Sequence, residues 1–145
     1  MRHFVAVLLL AMLPLFANAQ GAPPPGSSGP KVFLDCPNDF CDMQFFVTEI
    51  PYVDFIRDRA DANVHVLLTS LQTGSGGTAY TLNFIGLGGQ AGHSDTLIAN
   101  VPPNSPQDAR RKEMARVLKL GLVHFVAASE AGGRLQVSYL APAAA

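Results

Sequence analysis

The stretch Val64–Gly86, VHVLLTSLQTGSGGTAYTLNFIG, constrains the fold more than any other part of the chain. Two runs rich in β-branched and aromatic residues flank the polar turn Thr73-Gly74-Ser75-Gly76-Gly77-Thr78. In the second run Tyr80, Leu82 and Phe84 are apolar while Thr81 and Asn83 are polar. A period of two beside a glycine-rich connector is the pattern of a β-hairpin. The first run, Val64–Gln72, is apolar on both faces early on (Val64, Val66, Leu67, Leu68), which suits a central strand. The hairpin thus predicts the antiparallel centre of a small α+β domain. It carries no chemistry of its own.

The chain has 145 residues, enough for one domain with one core, and a formal net charge of −1. No basic field exists to hold a phosphate backbone, so nucleic acid is not expected as a partner. Residues 1–19 read as an export signal: Arg2 and His3 precede the apolar run Phe4–Phe16, and Ala17-Asn18-Ala19 supplies a small-residue cleavage site. The competing reading is a membrane anchor. The run is shorter than the ~20 residues that span a bilayer, and Pro14 interrupts it. Cleavage after Ala19 would leave Gln20 at the mature N-terminus, with no cysteine beside it for lipid attachment. The protein is therefore expected to be exported, either periplasmic or outer-membrane associated, with no transmembrane segment in its mature part.

Export decides how Cys36 and Cys41 are read. In an oxidising compartment an isolated pair is most simply a disulfide. A zinc site would need four ligands, which no second pair or nearby histidine supplies, and a redox role would favour C-x-x-C. A ring this small contributes only about 2 kcal/mol by loop entropy.

Residues 20–30, QGAPPPGSSGP, form a Pro/Gly/Ser linker ahead of one domain over residues 31–140. Lys31–Asp35 predicts a first strand, and Asp39 is placed to cap the next helix. Met43, Phe46, Val47 and Ile50 fall on one side of that helix. Pro51 predicts a break at Ile50 and opens a second helical turn carrying Tyr52, Phe55 and Ile56, before Arg57–Asp61 in solvent. After the hairpin, 86–92 is a loop and Thr96–Val101 a further strand.

Ser105–Ser129 is the clearest helix, with Ser105 as cap, Pro106 in the first turn and Asp108 completing a capping-box-like pattern. Met114, Val117, Leu118, Gly121, Leu122 and Phe125 make one apolar stripe opposite Lys112, Glu113, Arg116 and Lys119. Beyond Leu120 the helix is apolar nearly all round, which predicts burial of that half. Gly121 costs about 1 kcal/mol relative to Ala, so a close approach by a neighbouring backbone is expected there. Gly132-Gly133 stops the helix, and Leu135, Val137 and Tyr139 alternate as a last strand over Arg134–Leu140. Residues 141–145 read as a linker-like tail, consistent with truncation. The resulting order is β-α-β-β-β-α-β: a two-layer α+β sandwich, a mixed and mostly antiparallel sheet with two helices on one face.

Chemical motifs are sparse. Gly74–Ala79 and Gly86–Ala91 both match G-x-G-x-x-A, yet a strand follows each, where a dinucleotide site needs a helix N-terminus. No cofactor is expected. His65 and His124 read as structural residues of a strand and a helix. His93, with Ser94 and Asp95 on the glycine-rich loop, is the one candidate for a hydrolytic or metal site, although adjacent residues do not converge. Asp35, Asp39 and Asp42 could hold a divalent cation, but helix capping is the simpler role.

Cys41-Asp42, Glu49-Ile50-Pro51-Tyr52-Val53, Arg57-Asp58-Arg59, Val64-His65-Val66, Thr73-Gly74-Ser75-Gly76-Gly77, Tyr80-Thr81-Leu82, Phe84-Ile85-Gly86, Asp95-Thr96-Leu97 and Leu118-Lys119-Leu120-Gly121-Leu122-Val123 together resemble a family of uncharacterised exported bacterial proteins. The resemblance spans about Val32 to Tyr139. It implies an N-terminal periplasmic domain ahead of an outer-membrane-barrel-like region, and it implies no catalytic residues. The order of elements is also similar, more distantly, to the N-terminal domain of TolB.

The function expected from these features is a non-enzymatic periplasmic interaction or scaffold domain of an envelope or outer-membrane protein. Its partners would be envelope proteins, a missing C-terminal barrel among them, and its docking edge would be Lys31–Asp35 or Arg134–Leu140. The alternatives are a small hydrolase or metal-dependent enzyme using His93 and Asp95, and a small-ligand binder between sheet and helices.

Overall fold

A computed structural model of the protein describes residues 29–36 and 41–142. The export signal with its Ala19–Gln20 junction, nearly all of the linker, and Asp39 lie outside the described residues. Within them the expected hairpin is present. Strand β3 (Val64–Gln72) pairs antiparallel with β4 (Thr78–Gly86), placing Val66 opposite Phe84 and Leu68 opposite Leu82. Gly76 takes φ 84° in the turn, a conformation open to glycine and costly to most side chains. The alternating apolar residues of both strands then fall on one face, and that face is the core: Val64, Val66, Leu68, Tyr80, Leu82 and Phe84 are all buried.

Strand β1 (Lys31–Asp35) pairs parallel with β3, and β5 (Ser94–Val101) pairs antiparallel with β4. A three-residue strand, β2 (Asp54–Ile56), pairs parallel with the outside of β1. The sheet order is β2-β1-β3-β4-β5, mixed, with its long ladders antiparallel. Helices α1 (Met43–Glu49) and α2 (Gln107–Ala127) contribute Phe46, Leu118, Leu122 and Phe125 to the single core on one face of the sheet. This is the expected α+β architecture of a five-stranded mixed sheet and two helices.

Several local expectations are corrected. Pro51 opens a turn and then β2, not a second helical turn. Ile50 is fully buried and lies outside the α region (φ −128°, ψ 63°), which the proline after it disfavours. Val53 and Phe55 then reach the core at a period of two. The described cap of α1 is Asp42, whose Oδ1 accepts from Phe45 N–H (3.0 Å) while Oδ2 receives Arg111 Nη1 (3.2 Å). Asp42→Ala is expected to destabilise by about 1 kcal/mol through the cap alone. Asp42→Asn should recover most of that loss, and urea denaturation of both variants checks it.

Ser105 does not cap α2. Its Oγ donates to Pro102 O (2.8 Å), and Pro106 takes the cap position with no side-chain hydrogen bond. Asp108 pairs instead with Arg111 (2.8 Å) and Lys112 (2.7 Å). The Lys112 and Arg111 hydrogen bonds hold the Asp108 carboxyl below the ordinary carboxylate range, as Arg116 does for Glu113. A carboxyl lowered on folding stabilises above its unfolded-state value and loses that contribution as pH falls through the folded value. Thermal melts should therefore decline shallowly below about pH 4, and Asp108→Asn should flatten the decline.

The stripe of α2 is buried as expected, but Leu120 is 53% exposed. A Cβ on Gly121 would land in the ring of Phe84, so the close approach is by a side chain and not by backbone. After α2 the chain makes a 3₁₀ turn, Glu130–Arg134, Leu135 packs against the core, and no strand forms over Arg134–Leu140. The reason is topological. β1 and β5 run in the same direction, and β2 lies beside β1 on the side away from β5. A crossover through α2 onto the free edge of β5 would have the opposite hand to the β1–α1–β2 crossover over the same face. Right-handed crossovers make up about 98% of cases, so the tail is denied its own edge.

Candidate functional site

The docking edge expected at Lys31–Asp35 is interior, because β1 is flanked by β2 and β3. The free edges belong to β2, only three residues long, and to β5, eight residues long. The hydrogen-bond phase of β5 follows from the loop before it. Gly86 N–H donates to His93 O (2.8 Å), and the register places Asp95 opposite Phe84 and Leu97 opposite Leu82. Paired and open positions alternate in an antiparallel ladder, so the odd-numbered residues of β5 bond to β4. The N–H and C=O groups of Ser94, Thr96, Ile98 and Asn100 point outward. Thr96 N–H is taken by the carboxylate of Asp95 (2.7 Å); the others meet no partner among the described residues. β5 contains neither proline nor lysine, the residues that commonly blunt such an edge.

Helix α2 packs over β4 and β5, and its junction with β5 is open at both ends of the strand. Two clefts open into it. One, of about 410 Å³, is lined by Gly92, His93, Ser94, Asp95, His124 and Phe125. The other, of about 160 Å³, lies at the far end of β5 between Asn100, Val101, Pro102, Ser105, Ala109 and Glu113. Glu113, Leu120 and His124 share one side of α2 at spacings of seven and four, so exposed Leu120 lies between the two clefts.

At the first cleft His93 meets His124, their ring centroids 4.7 Å apart. His93 Nδ1 lies 3.3 Å from Gln90 O, and Gln90 Nε2 donates to Phe125 O (3.3 Å), tying the loop to α2. His124 thus joins a site that its helical periodicity alone assigned to structure. Ser94 and Asp95 point to opposite faces of the sheet, because successive strand residues alternate. His93 Nδ1 lies against Gln90 O, and among the described residues no hydrogen bond joins the imidazole to Ser94, so Ser94 has no base placed to activate it. Among the described residues no group of three or more His, Cys, Asp or Glu side chains is placed to hold a metal ion.

A second polar row lies on the open face of the sheet. Arg59 Nε donates to His65 Nδ1 (3.1 Å), which places the proton of a neutral ring on Nε2. That buried nitrogen lies 3.4 Å from Asp35 Oδ2, an ion-pair distance without hydrogen-bond alignment, and has no hydrogen-bond partner among the described residues. The Phe33 ring packs against the imidazole at 5.3 Å. Asp35 therefore serves this row, Asp42 serves α1, and the two do not combine as a cation site. Cys36 and Cys41 form the expected disulfide, with Cα atoms 6.3 Å apart. No helix among the described residues is long and apolar enough to cross a membrane.

Compared with known proteins, the chain matches no protein-family model, no curated protein and no solved structure.

Proposed function

We propose that this protein is an exported, non-enzymatic interaction domain of an envelope or outer-membrane assembly, and that it binds an extended segment along β5. The observation that supports this reading is the edge itself: eight residues long, with the outward backbone groups of Ser94, Ile98 and Asn100 unpaired among the described residues and a cleft at each end. An added strand would satisfy those groups by main-chain hydrogen bonds, while its alternate side chains would lie against the helix side of β5, toward the two clefts. Export rests on the pattern of residues 1–19, and the envelope setting rests on the family resemblance.

Site-specific photo-crosslinking tests the proposal. A crosslinking residue at position 100 on the β5 edge should capture a partner in envelope preparations, and the same residue at Thr69 in β3 should not. Equal capture at the two positions, or none at position 100, would contradict it. A small-ligand reading draws on one observation, the cleft at His93 and His124, whose volume is within the ~300–1,000 Å³ of ligand pockets. Thermal shifts across a metabolite panel that His124→Ala abolishes would support that reading.

A further inference from the structure

We propose that the occupant of the β5 edge is the segment 136–140 of a second copy of this chain, which follows the core-packed Leu135, an inference that rests on the edge reading above. The segment continues a strand pattern, with Leu135, Val137 and Tyr139 alternating with Gln136 and Ser138. It is also without pairing: among the described residues no backbone hydrogen bond joins residues 136–140 to any element. Val137, Tyr139 and Leu140 are 71%, 86% and 88% exposed. One molecule therefore presents both an unsatisfied edge and an unsatisfied strand.

Handedness keeps the two apart within one chain. His93 against His124 shows that α2 ends beside the start of β5, so the tail could only enter its own edge parallel to β5. That is the disfavoured left-handed crossover. Antiparallel entry would require it first to travel the length of β5, about 26 Å at the usual strand rise, which is more than the segment spans. A second copy has neither restriction. The side chains also fit. On the helix side Val137 and Tyr139 would lie alongside Leu97, Ala99 and Val101 and cover exposed Leu120. On the open side Gln136 and Ser138 would stand beside Thr96, Ile98 and Asn100. Reciprocal exchange closes two copies into a symmetric pair, the commonest form of association.

The test is the mass of the full chain in solution, by light scattering at about 100 μM, where a micromolar association is nearly complete. The wild-type chain should have the mass of two copies, and Val137→Pro/Tyr139→Pro should have the mass of one. These positions are exposed and outside every described strand and helix, so the fold should be unaffected, which circular dichroism checks. A wild-type monomer, or a double variant that keeps the two-copy mass, overturns the inference. If the two-copy mass survives the tail substitutions but is lost in Ile98→Pro, the edge is used and the tail is not its occupant. A monomer whose position 100 crosslinks to a different protein likewise overturns self-association and leaves the edge reading standing. No capture at position 100 overturns both.

Discussion

Gly121→Ala is expected to destabilise the protein by about 2 kcal/mol, although alanine is the better helix former by ~1 kcal/mol. The sign is set by Phe84. The added methyl would overlap the ring of a fully buried phenylalanine on β4, and the ring is surrounded by the core on its other sides. Overpacking of that kind typically costs 1–3 kcal/mol, and a ring that must move as a unit lies toward the upper end. Chemical denaturation measures the loss, and a fall in Tm of roughly 10 °C should accompany it in a domain of this size. Phe84→Leu removes the obstructing ring, so the double variant should be more stable than the sum of the two single changes by about 1–2 kcal/mol. Additivity would mean that α2 does not approach β4 at Gly121.

Leu82→Ala should cost about 3 kcal/mol, whereas Leu71→Ala on the same hairpin should cost less than about 0.5 kcal/mol. Leu82 is fully buried, pairs across the sheet with Leu68 and Leu97, and would leave a cavity that its neighbours fill only in part. Leu71 is 74% exposed near the turn and leaves no cavity. Because strand side chains alternate, a one-residue slip of β4 would turn Leu82 to the open face and erase this contrast. Paired urea titrations of the two variants therefore test the hairpin register that positions every other element.

The elements legible in the sequence were those in which local pattern and tertiary need agree. Val64–Gln72 and Lys31–Asp35 follow from their short apolar, β-branched runs, and the buried stripe of α2 follows from its helical period. Gly121 was legible as a packing position, but which neighbour approaches it was not, because that depends on the β4 register. The segment 52–56 misled: Tyr52, Phe55 and Ile56 suit a helical turn as well as a short strand, and only pairing with β1 decides between them. The tail misled for the opposite reason. Its alternation favours a strand, while the hand of the crossover, a property of the whole sheet, denies it a place.

The same division holds for the site. His93, Ser94 and Asp95 could be singled out by composition, but that His93 turns to Gln90 and His124 rather than to Ser94 depends on how the loop before β5 meets α2. His124 joined the site only once α2 was laid across β5, some thirty residues distant in sequence. Which strand lies at the free edge was not legible, because an edge is set by the neighbours a strand gains across the sheet.

Residue-resolved amide hydrogen exchange along β5 is the most direct test of its free edge and of what fills it. In Val137→Pro/Tyr139→Pro, Leu97 and Ala99 should be strongly protected by β4 while Ile98 and Asn100 exchange rapidly. In the wild-type chain at assembling concentration, Ile98 and Asn100 should become protected as well. Uniform protection of all four amides in the variant, or rapid exchange at Ile98 and Asn100 under both conditions, would contradict an edge that another strand completes.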